Sequence, residues 1–103
     1  MGKGETRSTI SSTTGGVMTK EAGAITGELE VSTGVGEGGL EATVRYGGAA
    51  EWYTVEGSPV PLEGAERLTS NDLHGRIVER LTTPGPVVEG NEQPASLRNF
   101  SPT

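Results

Sequence analysis

The sequence predicts a small α+β domain: a three-stranded antiparallel meander packed by one C-terminal helix (β-β-β-α), flanked by disordered tails. Three observations predict it. Between Ala24 and Thr83 the apolar residues first alternate along the chain and then recur at helical spacing. Glycine pairs and prolines separate the periodic runs. Outside that stretch apolar residues are sparse and follow no period. Residues 1–23 therefore read as a flexible N-terminal tail, 24–83 as the domain, and 84–103 as a Pro-rich flexible C-terminal tail.

Each element has its own justification. In Ile25–Thr33, Ile25, Leu29 and Val31 share one face and Glu28 and Glu30 the other, the pattern of a half-buried strand. Gly34–Gly39 reads as a loop. Leu40–Tyr46 alternates again, with Leu40, Ala42, Val44 and Tyr46 together. Gly47-Gly48 is a two-residue hairpin signal, and Ala49–Val55 follows as the third strand. Ser58–Leu62 carries Pro59 and Pro61, which cannot donate to a sheet, so it is a crossover or edge segment. Leu73, Ile77 and Leu81 then fall four residues apart, with Val78 beside them, and define an apolar helix stripe. Thr69 at the N-cap puts Asp72 at N3, a capping-box pair, and Pro84-Gly85-Pro86 ends the helix. Thr6–Thr14 is rich in residues that favour extended backbone. With a single apolar residue, Ile10, it is assigned to the tail.

Composition bounds the function. The 103 residues carry a net charge of −6. Ten carboxylates and four arginines lie between Ile25 and Thr82, so the patterned segment holds all of that charge. An acidic domain repels phosphate backbones, which argues against nucleic acid as a partner and is compatible with a basic protein. No apolar run approaches membrane-spanning length and none follows the N-terminus as a signal segment, so a cytoplasmic protein without membrane contact is expected. There is no cysteine. A domain near 60 residues buries only about 60% of its unfolded surface, so a homodimer or a bound partner is a natural source of added stability.

The chemistry-bearing motifs are weak. Gly34–Gly39 matches G-x-G-x-x-G after a strand, but the dinucleotide motif needs a helix next, and the following residues alternate instead. His74 is the sole histidine and stands off the main apolar stripe, so it reads as a partly exposed surface residue. One histidine without cysteine excludes the common zinc sites. No cofactor, metal or catalytic set is expected, and the chain reads as no enzyme on its own.

Pairing the strands through their turns gives a face map. It sets Val31 opposite Ala42 and Thr43 opposite Trp52. Trp52, Arg45, Thr43, Glu28 and Glu30 then share the face away from the helix, with Trp52 near enough to stack on Arg45. A three-residue Gly47–Ala49 loop slips the register by one and turns Trp52 inward. The leading expectation is a small non-enzymatic interaction module that binds another protein through this outer face or through a sheet edge. An acidic immunity- or antitoxin-like protein that neutralises a basic partner is the alternative. A third reading is an enzyme subunit whose site forms only on oligomerisation, with Tyr46, His74 or the glutamates at the seam.

Overall fold

A computed structural model describes residues 5–103. Its centre is a four-stranded antiparallel sheet, with strand order β1 (Thr6–Ser11), β4 (Glu28–Gly36), β5 (Gly39–Tyr46) and β6 (Tyr53–Thr54). A hairpin of β2 (Val17–Thr19) and β3 (Gly23–Ile25) precedes β4. The helix α1 (Ser70–Leu81) crosses the inner side of the sheet against β1 and β4, and a short hairpin of β7 (Val87–Val88) and β8 (Asn91–Glu92) follows it. The class is therefore α+β with one helix on an antiparallel sheet, and the sheet has one strand more than the expected meander.

The added strand comes from the segment assigned to the tail. Thr6, Ser8 and Ile10 face the helix while Arg7, Thr9 and Ser11 face solvent, and Ile10 is only 6% exposed. One well-placed apolar residue and a run of Ser and Thr suffice because β4 supplies the ladder and α1 supplies the cover. Val17 and Ile25 of the hairpin are also buried, so residues 5–25 contribute to the core rather than trailing from it; residues 1–4 of the expected tail lie outside the described residues.

The C-terminal segment is likewise folded in. Ala95 and Leu97 are buried, and the segment pairs with the body through Ala95 N–H to Gly16 O, Met18 N–H to Ala95 O and Leu97 N–H to Glu56 O. Arg80 on α1 donates from Nε to Ser96 O at 2.9 Å and from Nη2 to Arg98 O at 2.8 Å, and its guanidinium lies 5.5 Å from the Phe100 ring centroid. The four prolines of this stretch limit strand pairing without preventing the chain from lying on the core, so the segment expected as a tail packs against the body.

Both hairpin registers differ from the expected ones by two residues. Val31 pairs with Val44 and Thr33 with Ala42, because β4 and β5 run on to a tight turn at Glu37-Gly38 instead of stopping at a six-residue loop. Gly39 is needed there. It has φ +129°, and a Cβ would sit 2.2 Å from Val60 O, whose strand-like bridge to Leu40 seals this end of the core. Thr43 pairs with Thr54 and Val44 with Tyr53, across a connection that includes Ala49 and Ala50. A shift of two leaves every side chain on its expected face, whereas a shift of one exchanges the faces. Tyr46 keeps the parity of Leu40, Ala42 and Val44 at the end of β5, yet it is 43% exposed rather than buried with them.

The helix forms as its signals require. Thr69 Oγ1 accepts from Asp72 N–H and Asp72 Oδ2 accepts from Thr69 N–H, each at 3.0 Å, which completes the capping box. Leu73, Ile77 and Leu81 are buried against Leu29, Val31, Val44 and their neighbours in a single apolar cluster. His74 lies on the buried side too, at 5% exposure, which corrects the expected surface position.

Candidate functional site

The outer face of the sheet gathers all five residues singled out from sequence. Ladder pairing builds it in rows. Thr9 pairs with Glu30 and Glu30 with Arg45, while Arg7 pairs with Ser32, Ser32 with Thr43 and Thr43 with Thr54. Continuing the β5–β6 register by one residue beyond Val44–Tyr53 places Trp52 opposite Arg45. The Arg45 guanidinium lies 4.6 Å from the Trp52 ring centroid, within cation–π range. The same guanidinium donates to Glu30 Oε1 from Nε at 3.1 Å and from Nη2 at 2.9 Å. Glu28 accepts from Ser11 Oγ at 3.1 Å.

Two further participants, Arg7 and Glu5, come from the segment assigned to the tail. Arg7 lies 5.2 Å from the same Trp52 ring. Its Nε donates to Glu5 Oε1 at 2.9 Å, and Ser32 Oγ donates to that oxygen at 3.1 Å. These bonds, from Arg7 first and then Ser32, hold the Glu5 carboxyl below its ordinary pKa. Two arginines from strands on either side of β4 thus meet one indole above it. Ser32 points to the solvent side yet is 7% exposed, consistent with cover from this group. The only sequence signal for Arg7 was its parity with Thr9 and Ser11 in an alternating, strand-prone run.

Beside Thr43 lies a depression of about 270 Å³, lined by Lys20, Glu41, Thr43, Thr54, Ser58 and Pro59. Lys20 Nζ donates to Ser58 O at 2.9 Å. Glu21 accepts from Thr54 N–H at 2.7 Å and Thr54 Oγ1 at 2.8 Å, the backbone bond being the larger cause of its lowered pKa. The face is therefore pre-ordered: its carboxylates and guanidinium groups are already engaged with one another, which reduces the side-chain entropy lost when a partner docks.

The other polar constellation lies on the inner side. His74 Nε2 is 2.7 Å from Ser8 Oγ and Nδ1 is 2.9 Å from Thr33 Oγ1. A hydroxyl, an imidazole and an orienting group have the connectivity of a nucleophile and its base. Here, however, the third member is neutral, so it supplies no charge to hold an imidazolium, and the ring is enclosed between α1 and the sheet. Burial lowers the imidazole pKa, which favours the neutral form, with one hydroxyl donating to the ring and the other accepting from it. The trio is a buried polar tie from α1 to both β1 and β4. Among the described residues no group of three His, Cys, Asp or Glu side chains is arranged to hold a metal ion, and no helix is long and apolar enough to cross a membrane.

Fold and face together define a small α+β protein with an open sheet surface centred on a single Trp. The chain matches no family model, and neither the curated proteins nor the solved structures contain one that it significantly resembles.

Proposed function

We propose that this chain is a small non-enzymatic protein-interaction module that binds another protein through the outer face of its sheet. One observation carries the reading: the only tryptophan rests on the sheet face opposite the helix, with Arg7 and Arg45 against its ring. Trp and Arg are the residues most enriched among interface hot spots, and hot spots work best when rigidly held and ringed by polar groups. Glu5, Glu28 and Glu30 outnumber the two arginines on this part of the face, so the partner presents basic residues at the rim. That charge keeps the immunity- or antitoxin-like version within the same reading, as the case in which the basic partner is thereby neutralised.

Affinity capture with the tagged full chain, followed by titration of the purified partner, tests it. Trp52→Ala is expected to weaken binding about thirtyfold, the effect of losing one hot spot of about 2 kcal/mol, while the amide spectrum stays dispersed. Arg45→Ala is expected to weaken it as well, and added salt should slow association by screening the rim. A partner that binds Trp52→Ala with unchanged affinity would remove the outer face from consideration.

A further inference from the structure

We propose that two copies of this chain associate through the free edge of β1, antiparallel about a two-fold axis, to form one continuous eight-stranded sheet. The edge is open. Among the described residues, no backbone group outside β4 bonds to Thr6–Ser11. Ser12 N–H donates to Gly27 O in the same register as the β1–β4 ladder. Ladder alternation then assigns the inward-bonding positions to Thr6, Ser8 and Ile10, and leaves the N–H and C=O groups of Arg7, Thr9 and Ser11 pointing away from the sheet. Free edges are normally blunted by proline, lysine, a bulge or extreme shortness. This edge is six residues long, carries no proline or lysine, and has Arg7 as its single charged side chain.

The occupant follows from register and charge. Only pairings between the outward-bonding residues of two copies can complete the ladder. Thr9 opposite Thr9 of the second copy sets Arg7 opposite Ser11 and uses all three outward-bonding residues of each strand. It also sets the Arg7 backbone two strands from the second copy's Glu28, which lies across from Ser11 and accepts its hydroxyl, so that Arg7 reaches that carboxylate by turning from Trp52 and Glu5. The two-fold axis repeats that opposite-charge pair. Shifting the register so that Thr9 faces Arg7 sets Glu5 opposite Ser11 and hence toward Glu28, a like-charge contact. A further step sets Arg7 against Arg7. Charge therefore disfavours the registers shifted that way, the Thr9–Thr9 register makes the longest ladder between the two β1 strands, and the isologous geometry is that of a closed dimer. Because the axis is perpendicular to the sheet, both Trp52 faces lie on one side and both helices on the other.

The test is the oligomeric state of the full chain by sedimentation velocity from micromolar to millimolar concentration. A concentration-dependent dimer is expected. Thr9→Pro removes an outward N–H and leaves the bonds to β4 intact, so it should weaken the dimer about tenfold or more without changing the amide spectrum of the body. Arg7→Glu should weaken it, and Glu28→Arg in the same chain should restore it. The chain has no cysteine, so Thr9→Cys offers a second readout should Thr9→Pro fail to fold. Under mild oxidation it should cross-link to a dimer far faster than the exposed control Glu63→Cys. Monomers at every concentration, or a dimer indifferent to Thr9→Pro with no preference for cross-linking at Thr9, would overturn the proposal. Trp52→Ala should leave the dimer intact, which separates this edge from the partner-binding face.

Discussion

At the residue scale, His74 shows how a single side chain is read differently from pattern and from packing. Its position one residue after Leu73 places it beside the apolar stripe, and a stripe on a helix in contact with two strands is wide enough to include it. Sequence gave no reason to expect hydroxyls opposite the ring, because Ser8 and Thr33 are 66 and 41 residues away. The consequence is a pH dependence of known sign. The folded-state pKa of His74 is depressed by burial, so on acidification the unfolded chain takes up a proton before the folded chain does. Stability is fully present above the ordinary histidine pKa of 6.5 and declines as pH falls below it toward the depressed folded value. Urea melts at stepped pH should show this loss in the native chain and a flat profile over the same interval in His74→Gln. The carboxyls of Glu5, Glu21 and Asp72, also depressed, act only at lower pH, below 4.5 for the two glutamates and 3.8 for Asp72, and do not obscure it. An identical slope in His74→Gln would mean that the imidazole is not desolvated as described. Replacing His74 by Leu should cost about 1–3 kcal/mol, because Thr33 Oγ1 would lose its buried partner.

At the element scale, legibility depended on whether the determining signal was local. The helix was read almost to the residue, since its cap, its stripe and its terminator all lie within the segment itself. The two central strands were read with the right faces and the wrong partners. Side-chain alternation fixes parity, but the turns that set register are chosen by contacts from elsewhere, such as Val60 against Gly39. Trp52, Arg45, Thr43, Glu28 and Glu30 reached their common face for that reason, whereas Arg7 was missed because its strand has too little apolar content to signal itself. The helix also yields a direct prediction. Gly75 has helical backbone, and a Cβ there would meet no atom within 4 Å beyond its chain neighbours and the backbone of its own helix. Gly75→Ala should therefore stabilise the protein by about 1 kcal/mol, while Thr69→Ala should destabilise it by about 1 kcal/mol through loss of the cap. Thermal melts of the two variants would check both, and a neutral Gly75→Ala would indicate that the position is not free of contacts.

At the scale of the whole molecule, the expected division into a core with two trailing ends gives way to a chain whose flanking segments, residues 5–23 and 84–103, help to close the structure. A patterned segment of some 60 residues supplies one strong helix and two long strands, but that leaves the inner face of a small sheet larger than one helix covers. The remaining cover comes from both directions along the chain: Ile10 and Val17 from the N-terminal side, Ala95 and Leu97 from the C-terminal side. Such long-range closure has no periodic signature, because each segment contributes one or two apolar residues amid glycine, serine or proline. It does have an energetic one. Leu97 is 2% exposed in the same cluster as Leu81, so Leu97→Ala should cost about 2–5 kcal/mol, a large part of the stability available to a domain of this size. Arg80→Ala should cost less, since it releases the Ser96 and Arg98 carbonyls and the Phe100 ring while leaving Leu97 able to pack. Deleting residues 84–103 removes both contributions at once and uncovers the strand-like pairing of Gly16, Met18 and Glu56. A chain ending at Thr83 should therefore lose its cooperative thermal transition or show it far below that of the full chain. Were it to melt at the same temperature with an unchanged amide spectrum, the C-terminal segment would be a dispensable tail and the closure described here would fail.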